Sequence, residues 1–89
     1  MRFEQLLNNP NLCLKYYLMS SFLYYKLHQS KLTDYEYDTL AKVLIERWDE
    51  VTHHHKCLIT LEDLKAGTGY GIHYPLIVMH AAQDWYTRR

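Results

Sequence analysis

Asp34 and Asp38 stand four residues apart, so on a helix both carboxylates project from one face. Tyr37 lies next to that face, where its ring forms a natural wall. Two acids beside an aromatic face suit a flat cation: the carboxylates supply charge and the ring supplies its negative quadrupole. The chain is rich in such faces, with nine Tyr against two Phe and two Trp. Each Tyr offers a flat apolar surface and a hydroxyl that can reach water or a ligand.

Other groups invite chemistry less convincingly. His53, His54, His55 and Cys57, with His73 and His80 further on, are zinc-type ligands. Three adjacent histidines cannot all aim at one ion, and there is no C-x-x-C pair, so a solvated polar connector without metal is expected. Gly67-Thr68-Gly69-Tyr70-Gly71 lacks both G-x-G-x-x-G and the Walker lysine, and reads as a turn. No Ser-His-Asp or Cys-His arrangement is legible.

The positioning elements are helical. Residues 2–8 form a short helical turn ended by Asn8, Asn9 and Pro10, and Asn11 is the expected N-cap of a long helix over 12–29. That helix is apolar on nearly every face, so it is either central or carries a second partner surface. Thr33-Asp34-Tyr35-Glu36 is a capping box, with Leu32 and Tyr37 as a hydrophobic staple. Tyr37, Leu40, Ala41, Leu44, Trp48 and Val51 then make one buried stripe at helical spacing, with Thr39, Lys42, Glu46 and Asp49 mostly on the other side. His53 to Cys57 form a connector, Leu58-Ile59 a brief extended piece, and Thr60-Leu61-Glu62-Asp63 a second capped start for a short helix ending near Ala66. Pro75 suits the first turn of a last helix, 75–86. The expected fold is all-α: one small domain of three or four helices around an antiparallel helical hairpin spanning 12–50.

Composition narrows the function classes. Ten basic and ten acidic residues cancel, which removes the usual electrostatic footprint of a nucleic-acid binder, although Arg88 and Arg89 form a small basic patch. Cys13 and Cys57 do not make a disulfide scaffold, and both are expected to be small buried hydrophobes in a reducing compartment. The N-terminal MRFEQLLNNPN has no apolar signal-peptide core, and no run of about 18 apolar residues occurs. The expectation is a cytoplasmic protein without a membrane partner.

The stretch from Tyr24-Tyr25 through Asp34-Tyr35-Glu36-Tyr37-Asp38-Thr39-Leu40 resembles the N-terminal helical domain of NAD-dependent DNA ligases, which binds nicotinamide mononucleotide. That family carries a tyrosine-rich helix, a short loop and a D-x-E-Y-D-x-L helix start, and the resemblance covers about residues 12–50. It implies Tyr24 and Tyr37 as stacking partners for nicotinamide. It implies Asp34 and Asp38 as acceptors for the amide or ribose hydroxyls. Tyr25 stands where the family usually has histidine, a departure at the phosphate contact. The loop carries His28 and Ser30 where the family has an acid and a proline.

Ligases of this family transfer adenylate through a lysine in K-x-D-G, and none of Lys15, Lys26, Lys31, Lys42, Lys56 or Lys65 begins that pattern. Ligase activity by this chain alone is therefore not expected. The favoured expectation is a small non-enzymatic interaction or accessory protein, with no cofactor, using a ligase-like hairpin to bind an unidentified protein or a second copy of itself as a homo-oligomer. A phage or mobile-element accessory protein would have this size. The alternative is a stand-alone module for NAD or nicotinamide mononucleotide, or an accessory part of a ligase-type enzyme.

Overall fold

The computed structural model describes residues 3–66 and 74–88. Five α-helices occur among them: α1 (Phe3–Leu7), α2 (Pro10–Leu27), α3 (Asp34–Glu46), α4 (Leu61–Ala66) and α5 (Leu76–Thr87). Two 3₁₀ turns, Trp48–Glu50 and His54–Leu58, lie between α3 and α4. No strand occurs among the described residues, and the fold is all-α. The count exceeds the expected three or four because the turn expected at 2–8 is a helix, Phe3–Leu7, in its own right. The glycine-rich turn 67–71 and His73 lie outside the described residues.

α2 is the central element, packed against α1, α3, α5 and both 3₁₀ turns. This explains its apolar character on nearly every side. Cys13, Leu14, Tyr17, Leu18, Met19, Phe22 and Leu23 all enter the core from it. Burying a side chain such as Leu14 or Leu18 contributes roughly 1.5–3 kcal/mol. α3 contributes Leu40 and Leu44 to the same cluster, and Leu6, Val51, Ile59, Leu64, Tyr74, Val78 and Ala82 join it.

The start of α2 corrects the expected cap. Asn9, not Asn11, is the N-cap, its Oδ1 accepting from the amides of Asn11 (3.0 Å) and Leu12 (3.3 Å). Pro10 is the reason: it has no N–H to satisfy and its fixed φ suits the first helical position, so the preceding residue takes the cap. Asn11 instead ties α2 to the connector. Its Oδ1 accepts from the amides of Thr52 (2.8 Å) and His53 (3.1 Å), and its Nδ2 donates to Thr52 Oγ1 (3.1 Å). α2 ends one residue before His28, which takes the left-handed conformation at φ 55°.

The capping box of α3 is complete. Thr33 Oγ1 accepts from the Glu36 amide at 3.1 Å, and Glu36 Oε1 accepts from the Thr33 amide at 2.9 Å. Thr60 and Asp63 repeat the device at the start of α4, with both bonds at 3.1 Å. Of the expected stripe Leu40, Leu44 and Val51 are buried while Tyr37, Ala41 and Trp48 are half-buried against the core, and the helix stops at Glu46. Trp48 and Val51 reach the core from a 3₁₀ turn and the residue after it. Leu58 belongs to the second 3₁₀ turn, so only Ile59 of the expected extended pair is extended. Pro75 occupies the N-cap position of α5, one residue before its first turn, and its carbonyl accepts from the Val78 and Met79 amides. At the other end of α5, Lys31 Nζ donates to the carbonyls of Trp85 and Arg88, fixing the α2–α3 connection against that helix terminus.

Candidate ligand-binding cleft

Tyr24, Tyr25, Asp34, Tyr37 and Asp38 line one cavity of about 300 Å³ where α2 meets the start of α3. All five residues singled out in the sequence therefore share one site. Among the described residues Ser20, Ser30 and Leu32 also line it. Burial sorts them by depth. Ser20 is buried at the floor, Tyr25, Leu32 and Tyr37 are half-buried walls, and Tyr24, Ser30, Asp34 and Asp38 form an exposed rim.

Local rules explain the placement. The capping box starts α3 at Asp34, which puts Asp34 and Asp38 one turn apart on the same side. On α2, Ser20 and Tyr24 are likewise one turn apart, so a small side chain lies beneath an aromatic one. Ser20 was not singled out from the sequence, and this spacing is the signal that points to it. Leu32 reads in sequence as a staple residue, and Ser30 is turned into the connection, donating to the Leu32 carbonyl at 2.7 Å.

The two expected stacking partners are not equivalent. Tyr37 already stacks on Tyr17, with ring centroids 4.9 Å apart and planes 15° from parallel. Its hydroxyl is 2.6 Å from Ser21 Oγ. One face of Tyr37 is thus committed to the core, and a ligand meets only what remains. Tyr24 is 56% exposed and touches Tyr25 edge to face, at 4.9 Å and 82°. Its ring is the more available of the two.

Charge in the cleft comes from the carboxylates. Burial pushes the hydroxyls of Tyr17, Tyr37 and Tyr74 above their ordinary range, so at neutral pH they are neutral hydrogen-bonding groups. Asp34 and Asp38 form no ion pair among the described residues, whose two salt bridges are Arg47–Glu50 and Arg88–Asp84. Lys31, the nearest cation in sequence to Asp34, is drawn away to the end of α5. An acidic rim over neutral aromatic walls attracts a cation and disfavours an anion.

Ser20 is the unusual member. It is 7% exposed, and its Oγ has no hydrogen-bond partner among the described residues. A buried hydroxyl left in that state costs roughly 1–3 kcal/mol. Its neighbour Ser21 is more deeply buried but is satisfied by Tyr37. Among the described residues the cleft thus offers three groups that fit an aromatic cation with polar substituents: the exposed Tyr24 ring, two acids without an ion pair, and a hydroxyl without a partner.

Among the described residues the remaining candidates do not assemble into a metal-ligand group. His53 Nδ1 accepts from the His55 amide at 3.1 Å, a capping role in the second 3₁₀ turn. Among the described residues no three His, Cys, Asp or Glu side chains are grouped as metal ligands. Cys13 is buried, donates to the Leu6 carbonyl at 3.3 Å, and has its thiol pushed up to about 11 by burial, so it is unreactive. Cys57 corrects the sequence expectation: it is exposed, because the short turn carrying it runs along the surface. No described helix is long and apolar enough to cross a membrane. Comparison of the chain with models of protein families, with curated proteins and with solved structures returned no match.

Proposed function

We propose that this chain is a binding module for nicotinamide nucleotides, with the cleft between α2 and α3 receiving the cationic ring. The observation that carries the reading is the convergence of Tyr24, Tyr25, Asp34, Tyr37 and Asp38 on one cavity. These are the residues that the resemblance to the nicotinamide mononucleotide-binding domain of NAD-dependent DNA ligases implies. Tyr24 lies against the ring, Tyr37 supports it from the core side, and Asp34 and Asp38 supply the countercharge. A cation over an exposed aromatic face contributes about 0.5–1 kcal/mol, and more where water is excluded. The rim is exposed, so affinity is weak, on the order of millimolar, or about 4 kcal/mol. These residues carry no K-x-D-G lysine, so the module acts as an accessory nucleotide-binding part and not as the site of adenylate transfer.

Titration with nicotinamide mononucleotide, followed by amide NMR, tests the proposal. Saturable shifts are expected around the cleft, and Asp38→Ala should abolish them. Asp38 is exposed and outside the core, so the variant's fold should be intact. Absence of any shift in the wild-type chain at millimolar ligand would refute the reading.

A second reading, an interaction protein or homo-oligomer, draws on one observation: Leu76 and Ile77 at the start of α5 are 69% and 66% exposed. Sedimentation of the wild type and of Leu76→Ser/Ile77→Ser checks it. A concentration-dependent dimer that the double variant abolishes supports this reading; a monomer throughout removes it.

A further inference from the structure

The Ser20 hydroxyl is a polar atom on the cleft floor that the helical framework does not use. Serines within helices commonly donate to a carbonyl one turn back. Ser20 has no hydrogen-bond partner among the described residues although it is 93% buried, being 7% exposed. Its small size leaves room for the cleft beneath Tyr24, but alanine would leave the same room without burying an unsatisfied atom. The hydroxyl, not the size, is what requires a ligand.

We infer that Ser20 hydrogen-bonds the ring substituent of the bound cation, selecting a pyridinium that carries a carboxamide over one that carries a carboxylate. This rests on the reading of the cleft as a site for nicotinamide nucleotides. A hydroxyl both donates and accepts, and so does a carboxamide. A carboxylate only accepts, and it would enter a cleft already rimmed by Asp34 and Asp38, which form no ion pair among the described residues. A ring without a substituent leaves Ser20 as it is in the free protein. The aromatic walls hold the ring and the acids favour its charge, so neither distinguishes the substituent as a buried hydroxyl does. Sites that hydrogen-bond a polar group discriminate strongly because the unmatched ligand leaves a buried atom unpaired.

Three probes separate these contributions: N-methylnicotinamide, N-methylnicotinate and N-methylpyridinium. Each is titrated into the full chain and into Ser20→Ala, with amide NMR as the readout. The wild type should prefer N-methylnicotinamide over N-methylpyridinium by roughly three- to tenfold, the range one net hydrogen bond provides. It should bind N-methylnicotinate most weakly. Ser20→Ala should erase the preference for the carboxamide while keeping affinity for N-methylpyridinium, and its thermal stability should be equal or higher. Retention of the full preference in Ser20→Ala overturns this inference and leaves the cleft reading standing. So does a wild type that binds the cations without preference. Failure of the wild type to bind any of the three overturns both.

Discussion

Tyr17 and Tyr37 meet at 4.9 Å with nearly parallel rings, and Tyr24 and Tyr25 meet at the same distance edge to face. The first pair belongs to the core: Tyr17 is fully buried and Tyr37 is held by Ser21. The second pair stands at the mouth of the cleft, with Tyr24 largely in solvent. The same side chain is scaffold in one place and contact surface in the other, and the difference is made by what lies behind each ring. Tyr17 backs the Tyr37 wall of the cleft from the core side, which fixes one surface that a ligand meets. Rigid support beneath an exposed aromatic is how a small chain lowers the entropy cost of binding.

The largest test removes the inner support. Tyr17→Ala should destabilise the fold by about 3–5 kcal/mol in chemical denaturation, the range for deleting a buried aromatic. A loss below about 1 kcal/mol would mean that the inner pair is not structural, and the comparison would fail.

Alkaline titration probes the same pair without mutation. The hydroxyls of Tyr17, Tyr37 and Tyr74 are raised above the ordinary tyrosine value of 10.0, chiefly by burial. Above that pH the unfolded chain gives up protons that the folded chain keeps. The stability these groups contribute is therefore whole below pH 10.0 and declines as the pH rises beyond it. Phenolate absorbance should show these three titrating together with unfolding, and a simple titration at the ordinary value in the folded state would contradict their burial.

Tyr37→Phe is narrower. It keeps the stacked ring but leaves Ser21 Oγ without its 2.6 Å partner, and should cost roughly 1–3 kcal/mol by thermal melting. Thr33→Ala removes one half of the α3 capping box and should cost about 1 kcal/mol, fraying the turn that carries Asp34 and weakening ligand binding with it. The smallest expected stability effect belongs to the outer pair. Tyr24→Ala should change stability by no more than about 0.5 kcal/mol while removing the ligand-induced shifts. If it instead unfolds the chain as Tyr17→Ala does, the distinction between the pairs disappears.

Much of this arrangement was legible beforehand because it depends on residues close in sequence. A capping box needs only a hydroxyl and an acid three residues apart, and both Thr33–Glu36 and Thr60–Asp63 form as written. Within α3 the stripe from Tyr37 to Leu44 packs on the core, with Leu40 and Leu44 buried, because helical periodicity selects one face. The path of the backbone along that stripe was not legible. No glycine or proline marks the end of α3, and the Arg47 side chain is instead engaged with Glu50, both bonds at 2.9 Å, as the chain turns into a 3₁₀ segment.

What the sequence determined by itself was an all-α chain, the start of α3, and two aspartates sharing a face beside an aromatic ring, since helix geometry alone sets those relations. Tertiary structure decided the rest. Asn11 bonds Thr52 and His53, forty-one and forty-two residues away, and no local rule reaches that far. Tyr37 gives one ring face to Tyr17, and Ser20 is buried without a partner while Ser21 beside it has one. These outcomes depend on how closely α3 approaches α2 and which atoms then face each other. That approach comes from packing the whole core, where Leu40 and Leu44 are buried with Leu14, Leu18 and Leu23, and the cleft is the space their packing leaves open at one end.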